Sequence, residues 1–135
     1  MICSKEQIEL FSILIGILHV GNLKFKSNDE GYATFIYTKE SKLSLLAISK
    51  LLGINTNALI ESLTTSLPTA GGRDEFVRNY TLEAALDARD ALAKHVYAKL
   101  FCWIVSKINK TLLYEKQNSN QVKQIGKLHN IEKFY

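Results

Sequence analysis

The sequence predicts a mainly α-helical fold with a few short strands, and three observations support this class. Pro occurs once in 135 residues, and a chain with so few helix breakers favours long uninterrupted helices. Apolar residues make up 47% and charged residues 22%, as in folded globular domains, which excludes a wholly disordered chain. The stretch from Leu82 to about Leu113 contains neither Gly nor Pro, which predicts one long helix of about 30 residues near the carboxyl end.

The amino-terminal segment predicts a buried helix that runs to about His19. Ser4 and Gln7 have the spacing of a capping box, in which each side chain binds a free main-chain amide of the other residue. The apolar run at 8–20 spans 13 positions, whereas a membrane-spanning helix needs roughly 20 apolar residues. No membrane insertion is therefore expected.

Short strands and two further helices are predicted before residue 66. Turn-forming residues at 28–31 separate two β-rich stretches, and capping residues or glycine bound the helices. The predicted elements are extended segments at 23–25 and 32–38, a helix at 41–52 that ends at Gly53, and a helix capped by Thr56 or Asn55 that ends near Leu63.

The segment Ser66–Tyr80 predicts an exposed loop. Pro68 and the Gly71-Gly72 pair interrupt any helix, and a short strand over 75–80 gives the loop hairpin character. Thr81 follows directly and has the position of an N-terminal cap for the long helix.

The long helix is expected to lie inside a larger body. Asp90 and Lys94 are placed for an i,i+4 ion pair, and apolar side chains occupy almost the whole circumference from 96 to 105. A small domain buries only about 60–70% of its surface, so two helices that are apolar all round predict a fragment of a larger protein. Buried core positions are predicted for Tyr97, Phe101, Cys102 and Trp103.

The formal net charge of +4 comes from one end of the chain. Residues 1–106 contain 11 basic and 11 acidic residues, whereas 107–135 contain six Lys and two Glu. A phosphate-binding surface normally recurs on one face of a folded element, so a solvated tail is favoured and no nucleic-acid partner is expected. The nucleic-acid alternative requires salt-sensitive binding that disappears when 116–135 are removed.

No catalytic or metal site is predicted. Cys3 and Cys102 are the only cysteines, the chain has three His, and no Cys-x-x-Cys or His-x-x-x-His spacing occurs. These residues are too few and too scattered for a disulfide scaffold or a metal cage. A reducing, intracellular setting fits best.

Three segments resemble consecutive parts of the myosin motor (head) domain, of an unconventional class. The most specific contains the string Arg-Asp-Ala-Leu-Ala-Lys at 89–94. The resemblance implies that residues 1–118 are a fragment of the larger α/β P-loop motor fold, from its upper actin-binding subdomain. The three segments are ELFSILIGILHVGNLKF at 9–25, LLGINTNALIESLTT at 51–65 and ALDARDALAKHVYAKLFCWIVSKIN at 85–109.

The same resemblance implies that the loop at 66–80 touches the actin filament. Myosins carry an acidic or phosphorylatable residue 16 positions before the Asp of the Asp-Ala-Leu-Ala-Lys motif, and Asp74 stands at that distance from Asp90. A permanent negative charge there implies that no heavy-chain kinase is needed at this position. The candidate actin contacts are Arg73, Asp74, Glu75 and Arg78.

ATP and magnesium are implied as cofactors of the complete motor, and none is expected in this chain. The string from Gly16 to Gly21 continues with Asn-Leu instead of the Lys-Ser/Thr of a phosphate loop, and the first switch lies upstream of the matching region. Residues 119–135 form a divergent Lys-bearing end where the second switch is expected, with His129 in place of its Asp. The family is an actin-activated ATPase, whereas this chain alone is predicted to be inactive.

The partners implied by the resemblance are the actin filament and the remainder of the myosin heavy chain, in the cytoplasm on the actin cytoskeleton. The long helix would link the actin-facing loop to the nucleotide switches. One alternative stays open: a stand-alone helical protein-interaction module without ATPase activity, which exposes its apolar faces to another partner.

Overall fold

The computed structural model describes residues 3–66 and 78–118, and helices dominate the described part. The predicted mainly α-helical class with a few short strands and one long helix is confirmed. The elements are α1 (Ser4–Gly21), β1 (Phe25–Ser27), β2 (Ala33–Phe35), α2 (Lys39–Leu52), α3 (Thr56–Thr64), β3 (Thr65–Ser66), β4 (Arg78–Asn79) and α4 (Leu82–Asn118).

Helix α1 begins with a different cap from the predicted one. Cys3 is the N-terminal cap residue, and its main-chain amide donates to Glu6 Oε2 at 3.1 Å. The predicted pair of Ser4 and Gln7 is therefore wrong by one residue. A carboxylate three residues after the cap accepts the free amide more strongly than a neutral amide side chain would.

The segments predicted at 23–25 and 32–38 form a short antiparallel hairpin. Strands β1 and β2 pair with Phe25 opposite Phe35 and Ser27 opposite Ala33. The Asn28 side chain accepts from the amides of Glu30 and Tyr32 at 3.1 and 2.8 Å, which closes the turn as an Asx-type motif. Strand β1 has the predicted length but begins two residues later, at Phe25, and β2 is shorter than the predicted segment 32–38.

The boundaries of α2 and α3 follow the sequence signals closely. Helix α2 ends at Leu52 and is capped, as predicted, by Gly53, which has φ +69° and thus the left-handed conformation that favours glycine. Of the two predicted caps for α3, Asn55 is the one used: its side chain accepts from the amides of Asn57 and Ala58 at 2.9 and 3.1 Å.

The core lies where α1, α2, α3 and the start of α4 meet the β1–β2 hairpin. Phe25 and Phe35 contact edge to face with ring centroids 5.8 Å apart, and Gly16 lets α1 approach α2 closely. A Cβ built on Gly16 would lie 2.6 Å from Leu52 Cδ2. The buried apolar residues of this cluster are Val20, Leu23, Phe25, Ala33, Phe35, Leu45, Ile48, Leu59, Leu63 and Ala85.

One face of α1 is exposed within the described residues, and its predicted burial against other parts of a larger protein stays a prediction. Ile8, Phe11 and Leu18 are 61–70% exposed. Helices α2 and α4 pack against α1, and the rest of its circumference has no cover among the described residues. Helix α1 therefore has more apolar surface than residues 3–66 and 78–118 can cover.

The middle of α4 is exposed in the same way. Leu100 is buried, whereas the four predicted core residues of this stretch are exposed; they are Tyr97, Phe101, Cys102 and Trp103. The described residues do not cover these four side chains, so their predicted burial inside a larger body stays a prediction. Tyr97 and Phe101 instead stack on each other along the helix, with centroids 6.5 Å apart.

No single helix in the described ranges is long and apolar enough to cross a membrane. Helices α2 and α3 reach the necessary combined length and composition only as a pair, and they meet at an angle of 110°.

Candidate functional site

Strands β3 and β4 form the base of the predicted loop. Thr65 pairs with Asn79 and Ser66 with Arg78 in an antiparallel ladder. The Ser66 hydroxyl donates to the Arg78 carbonyl and accepts from the Arg78 amide, both at 3.3 Å. The predicted hairpin character of this segment is thereby confirmed at its base.

Arg78 is the one candidate contact residue that the structure places. It lies on β4 with its side chain exposed. The other three candidates, Arg73, Asp74 and Glu75, lie outside the described residues. Actin contact by this set of four stays a prediction.

Tyr80 joins the loop base to two other elements through its main chain. Its amide donates to the Thr64 carbonyl at 2.7 Å, and its carbonyl accepts from the Ala33 amide at 2.8 Å. The adjacent Thr81 forms an isolated antiparallel bridge with Tyr32. The loop base is thus fixed between the end of α3 and the β1–β2 hairpin.

Thr81 also begins the long helix, as the sequence predicts. Its hydroxyl accepts from the Ala84 amide at 3.3 Å, and its carbonyl accepts from the Ala85 amide at 3.0 Å. Only Tyr80 separates β4 from this cap. The loop base and α4 are therefore directly connected, without a flexible linker.

Arg89 connects α4 to the start of the hairpin. Its Nη1 donates to the Leu23 carbonyl at 3.1 Å, and its Nε donates to Asp90 Oδ1 at 2.8 Å. The predicted ion pair between Asp90 and Lys94 is wrong, because Asp90 pairs with Arg89 instead. A guanidinium can hold a carboxylate and a carbonyl at once, whereas a flexible exposed Lys gains little from one contact.

A second link joins the first turn of α1 to the second half of α4. The Lys107 ammonium pairs with the Glu6 carboxylate and lies 5.4 Å from the centroid of the Trp103 ring. Lys107, and after it the Cys3 amide, lowers the pKa of Glu6. Sequence reasoning did not find this contact, since the partners are 101 residues apart and no local spacing signals them.

Comparison with known proteins identifies the family. The model of the family "Myosin head (motor domain)" matches residues 1–134. Human unconventional myosin-Ih is 42% identical over 104 residues, which cover 77% of this chain. Unconventional myosin-Ic of Aquarana catesbeiana is 42% identical over 107 residues, or 79% of the chain. Myosin-3 of Arabidopsis thaliana is 34% identical over 134 residues, or 98% of the chain.

The chain therefore belongs to the myosin head (motor domain) family, as the sequence resemblance predicts. It spans about a tenth of the length of each of these relatives. The alternative of a stand-alone helical interaction module receives no support from these matches.

A myosin head implies a nucleotide and magnesium in the complete motor, but the described residues do not fit either group. They contain no cluster of three or more His, Cys, Asp or Glu side chains that could hold a metal ion. The glycine string at 16–21 is helical, and Gly16 is explained by its contact with Leu52. No chemical step is therefore assigned to the described residues.

Proposed function

We propose that this chain contributes the actin-facing loop and the long transmission helix to an actin-based motor. In that assignment residues 1–118 belong to the upper actin-binding subdomain, and 119–135 form a divergent end where the second switch is expected. The complete motor would couple ATP hydrolysis to movement along filaments in the cytoplasm. ATP and magnesium would bind residues of the heavy chain outside this part.

The observation that carries the proposal is the direct junction between β4 and α4. Tyr80 is hydrogen-bonded on both sides, to Thr64 and Ala33, and Thr81 caps the helix that follows. A force applied to the loop base therefore reaches the first turn of α4 through the peptide bonds of Tyr80 and Thr81, while the hydrogen bonds of Tyr80 hold this junction on the end of α3 and on the β1–β2 hairpin. Such a rigid connection is what a transmission element requires.

The proposed contact surface is the mixed-charge patch formed by Arg73, Asp74, Glu75 and Arg78. Charged rims of this kind steer a partner and set specificity more than they add affinity. One loop supplies less than the usual interface of about 800 Å² per partner. We therefore expect weak and salt-sensitive binding of the isolated chain to filaments.

The test is cosedimentation of the 135-residue chain with filamentous actin at low salt. We expect weak binding that is lost in the variant with Asp74→Arg and Glu75→Arg, because these substitutions reverse the acidic half of the patch. The matched control is Glu61→Arg combined with Glu30→Arg, which reverses the same number of exposed carboxylates away from the patch. Circular dichroism checks that both variants retain their helices.

Binding that survives the paired reversal, or that falls equally in the control, would show that a different surface contacts the filament. Zero-length carbodiimide cross-linking provides a second readout. We expect actin to be attached within 67–80 on peptide mapping, and attachment elsewhere would contradict the assigned patch.

A further inference from the structure

The outer face of α2 presents a stripe of lysines and leucines that the core does not use. Five exposed side chains lie on it at spacings of three, four and seven residues, so they share one side of the helix. Leu43 and Leu46 are 58% and 57% exposed. The members of this α2 stripe are Lys39, Lys42, Leu43, Leu46 and Lys50.

The three lysines of the α2 stripe lack carboxylate partners in the part of the chain that the structure describes. The two ion pairs formed there join Arg89 to Asp90 and Lys107 to Glu6. Glu40, the acidic residue of α2, is already engaged: its own main-chain amide, followed by the Thr38 hydroxyl, lowers its pKa. Glu40 keeps its negative charge and, three residues before Leu43, borders the stripe on one side. The stripe therefore carries three lysines against one neighbouring carboxylate, an excess of positive charge around two leucines.

An aromatic ring stands next to the amino-terminal end of this stripe. Tyr37 is 63% exposed, yet its ring packs edge to face on the buried Phe35 with centroids 4.9 Å apart. A ring held in this way loses little conformational entropy when it is covered. Anchored aromatic residues of this kind dominate the binding energy of many interfaces.

We propose that the α2 stripe is a docking surface for an acidic amphipathic helix of a partner protein. The leucines of the partner would pack between Leu43 and Leu46, and its glutamates or aspartates would face the lysines of the stripe. Charge complementarity carries this choice of occupant, because Lys39, Lys42 and Lys50 outnumber the single neighbouring carboxylate of Glu40.

The narrowness of the stripe favours a helix over a lipid surface. Helices that lie on membranes bury a broad apolar face, whereas the opposite face of α2 is already in the core through Ser41, Ser44, Leu45 and Ile48. Only one row of leucines remains. One row flanked by charges is the geometry of a helix–helix seam.

The first experiment titrates the 135-residue chain into two labelled peptides by fluorescence anisotropy. Each peptide is stapled in a helix of about 14 residues, matching α2, with a leucine row flanked by glutamates in one and by lysines in the other. We expect the glutamate peptide to bind at least ~10-fold more tightly. Equal binding of the two peptides would overturn the proposal.

Two triple variants separate the stripe from general charge. Lys39→Glu, Lys42→Glu and Lys50→Glu together should reverse the peptide preference. The same reversal at the exposed residues Lys26, Lys99 and Lys110 should leave it unchanged. An equal loss in the control triple would show non-specific attraction and would contradict the proposed site.

Two further measurements complete the test. Amide chemical shifts of the unmodified chain should change on peptide addition at 37–50, and changes confined to other elements would overturn the assignment even if a variant failed to fold. Vesicles of phosphatidylcholine with about 30% phosphatidylserine test the lipid surface. If the chain binds these vesicles through Leu43 and Leu46 but does not bind the glutamate peptide, the proposed partner helix is wrong and the α2 stripe binds a lipid surface instead.

Discussion

The Arg89 guanidinium donates to the main-chain carbonyl of Leu23 at 3.1 Å, across 66 residues of sequence. Leu23 is fully buried, so its carbonyl has no access to solvent water. The contact fixes the entry to the β1–β2 hairpin against α4. Because Arg89 is also held by Asp90, its side chain is oriented before it reaches the hairpin.

Substitution of Arg89 by Leu should lower the free energy of unfolding by about 1–3 kcal/mol, since it leaves the buried Leu23 carbonyl unpaired. Urea denaturation followed by circular dichroism measures the change. Lys94→Leu, at an exposed position on the same helix, should stay within about 0.5 kcal/mol. Equal effects of the two substitutions would show that the carbonyl contact contributes nothing.

Gly16→Ala should destabilise the chain by about 1 kcal/mol. The alanine Cβ would lie 2.6 Å from Leu52 Cδ2 and 2.7 Å from Leu52 Cγ, so the Leu52 side chain must move, at a cost of about 1–3 kcal/mol. The gain of about 1 kcal/mol from helix propensity offsets this only in part.

Gly21→Ala is the matched control for Gly16, because nothing lies within 4 Å of a Cβ at Gly21. We expect this variant to be neutral or slightly more stable in the same thermal or urea melt. A stabilising effect of Gly16→Ala would show that Leu52 relaxes freely and that close packing of α1 on α2 is not needed.

The pair of Glu6 and Lys107 should make stability depend on pH in the acid range. The Lys107 ammonium, and then the Cys3 amide, holds the pKa of Glu6 below its usual 4.5. A carboxyl with a lowered folded-state pKa stabilises fully above its unfolded value, and the contribution is lost as the pH falls through the lowered value.

Glu6→Gln should therefore reduce the urea midpoint near neutral pH, and the difference from the unmodified chain should shrink as the pH falls below 4.5. Glu9→Gln, on the same helix, is the comparison variant. A Glu6→Gln difference that persists unchanged at low pH would show that the carboxylate charge is not what binds Lys107.

The chain alone should show no saturable, magnesium-dependent binding of a fluorescent ATP analogue. The sequence has no phosphate loop, and the described residues offer no cluster for a metal ion. A complete myosin head serves as the positive control. Saturable binding that chelation of magnesium removes would contradict this expectation and would place part of a nucleotide site in this chain.

Local signals in the sequence predicted the features that depend on neighbours a few residues away. Gly53 and Thr81 could be identified because a left-handed cap and a hydroxyl cap each require a particular residue type. The partners of Arg89 and Lys107 could not be identified, since their contacts depend on how distant elements pack. Trp103 was expected in a core because its surroundings in sequence are apolar, but exposure depends on neighbours in space.

The candidate site was predictable only through family resemblance. Mixed charge on a loop such as 66–80 is common on solvated surfaces and does not by itself indicate a partner. The string at 89–94 indicated the family, and the proposed role of the loop was inferred from the family. The structure adds what neither could supply, which is the main-chain attachment of Tyr80 to Thr64 and Ala33.

The length of α4 means that a small change of its angle at Thr81 produces a large displacement at its other end. The helix contains 37 residues, so at about 1.5 Å per residue it extends roughly 55 Å. A tilt of about 5° at the capped end would displace the far end by about 5 Å. Because Glu6 pairs with Lys107 and α1 packs on α4, such a tilt would have to carry α1 with it. Small angular changes at the loop base would thus become joint movements of two helices, the size of a side chain at the far end of α4.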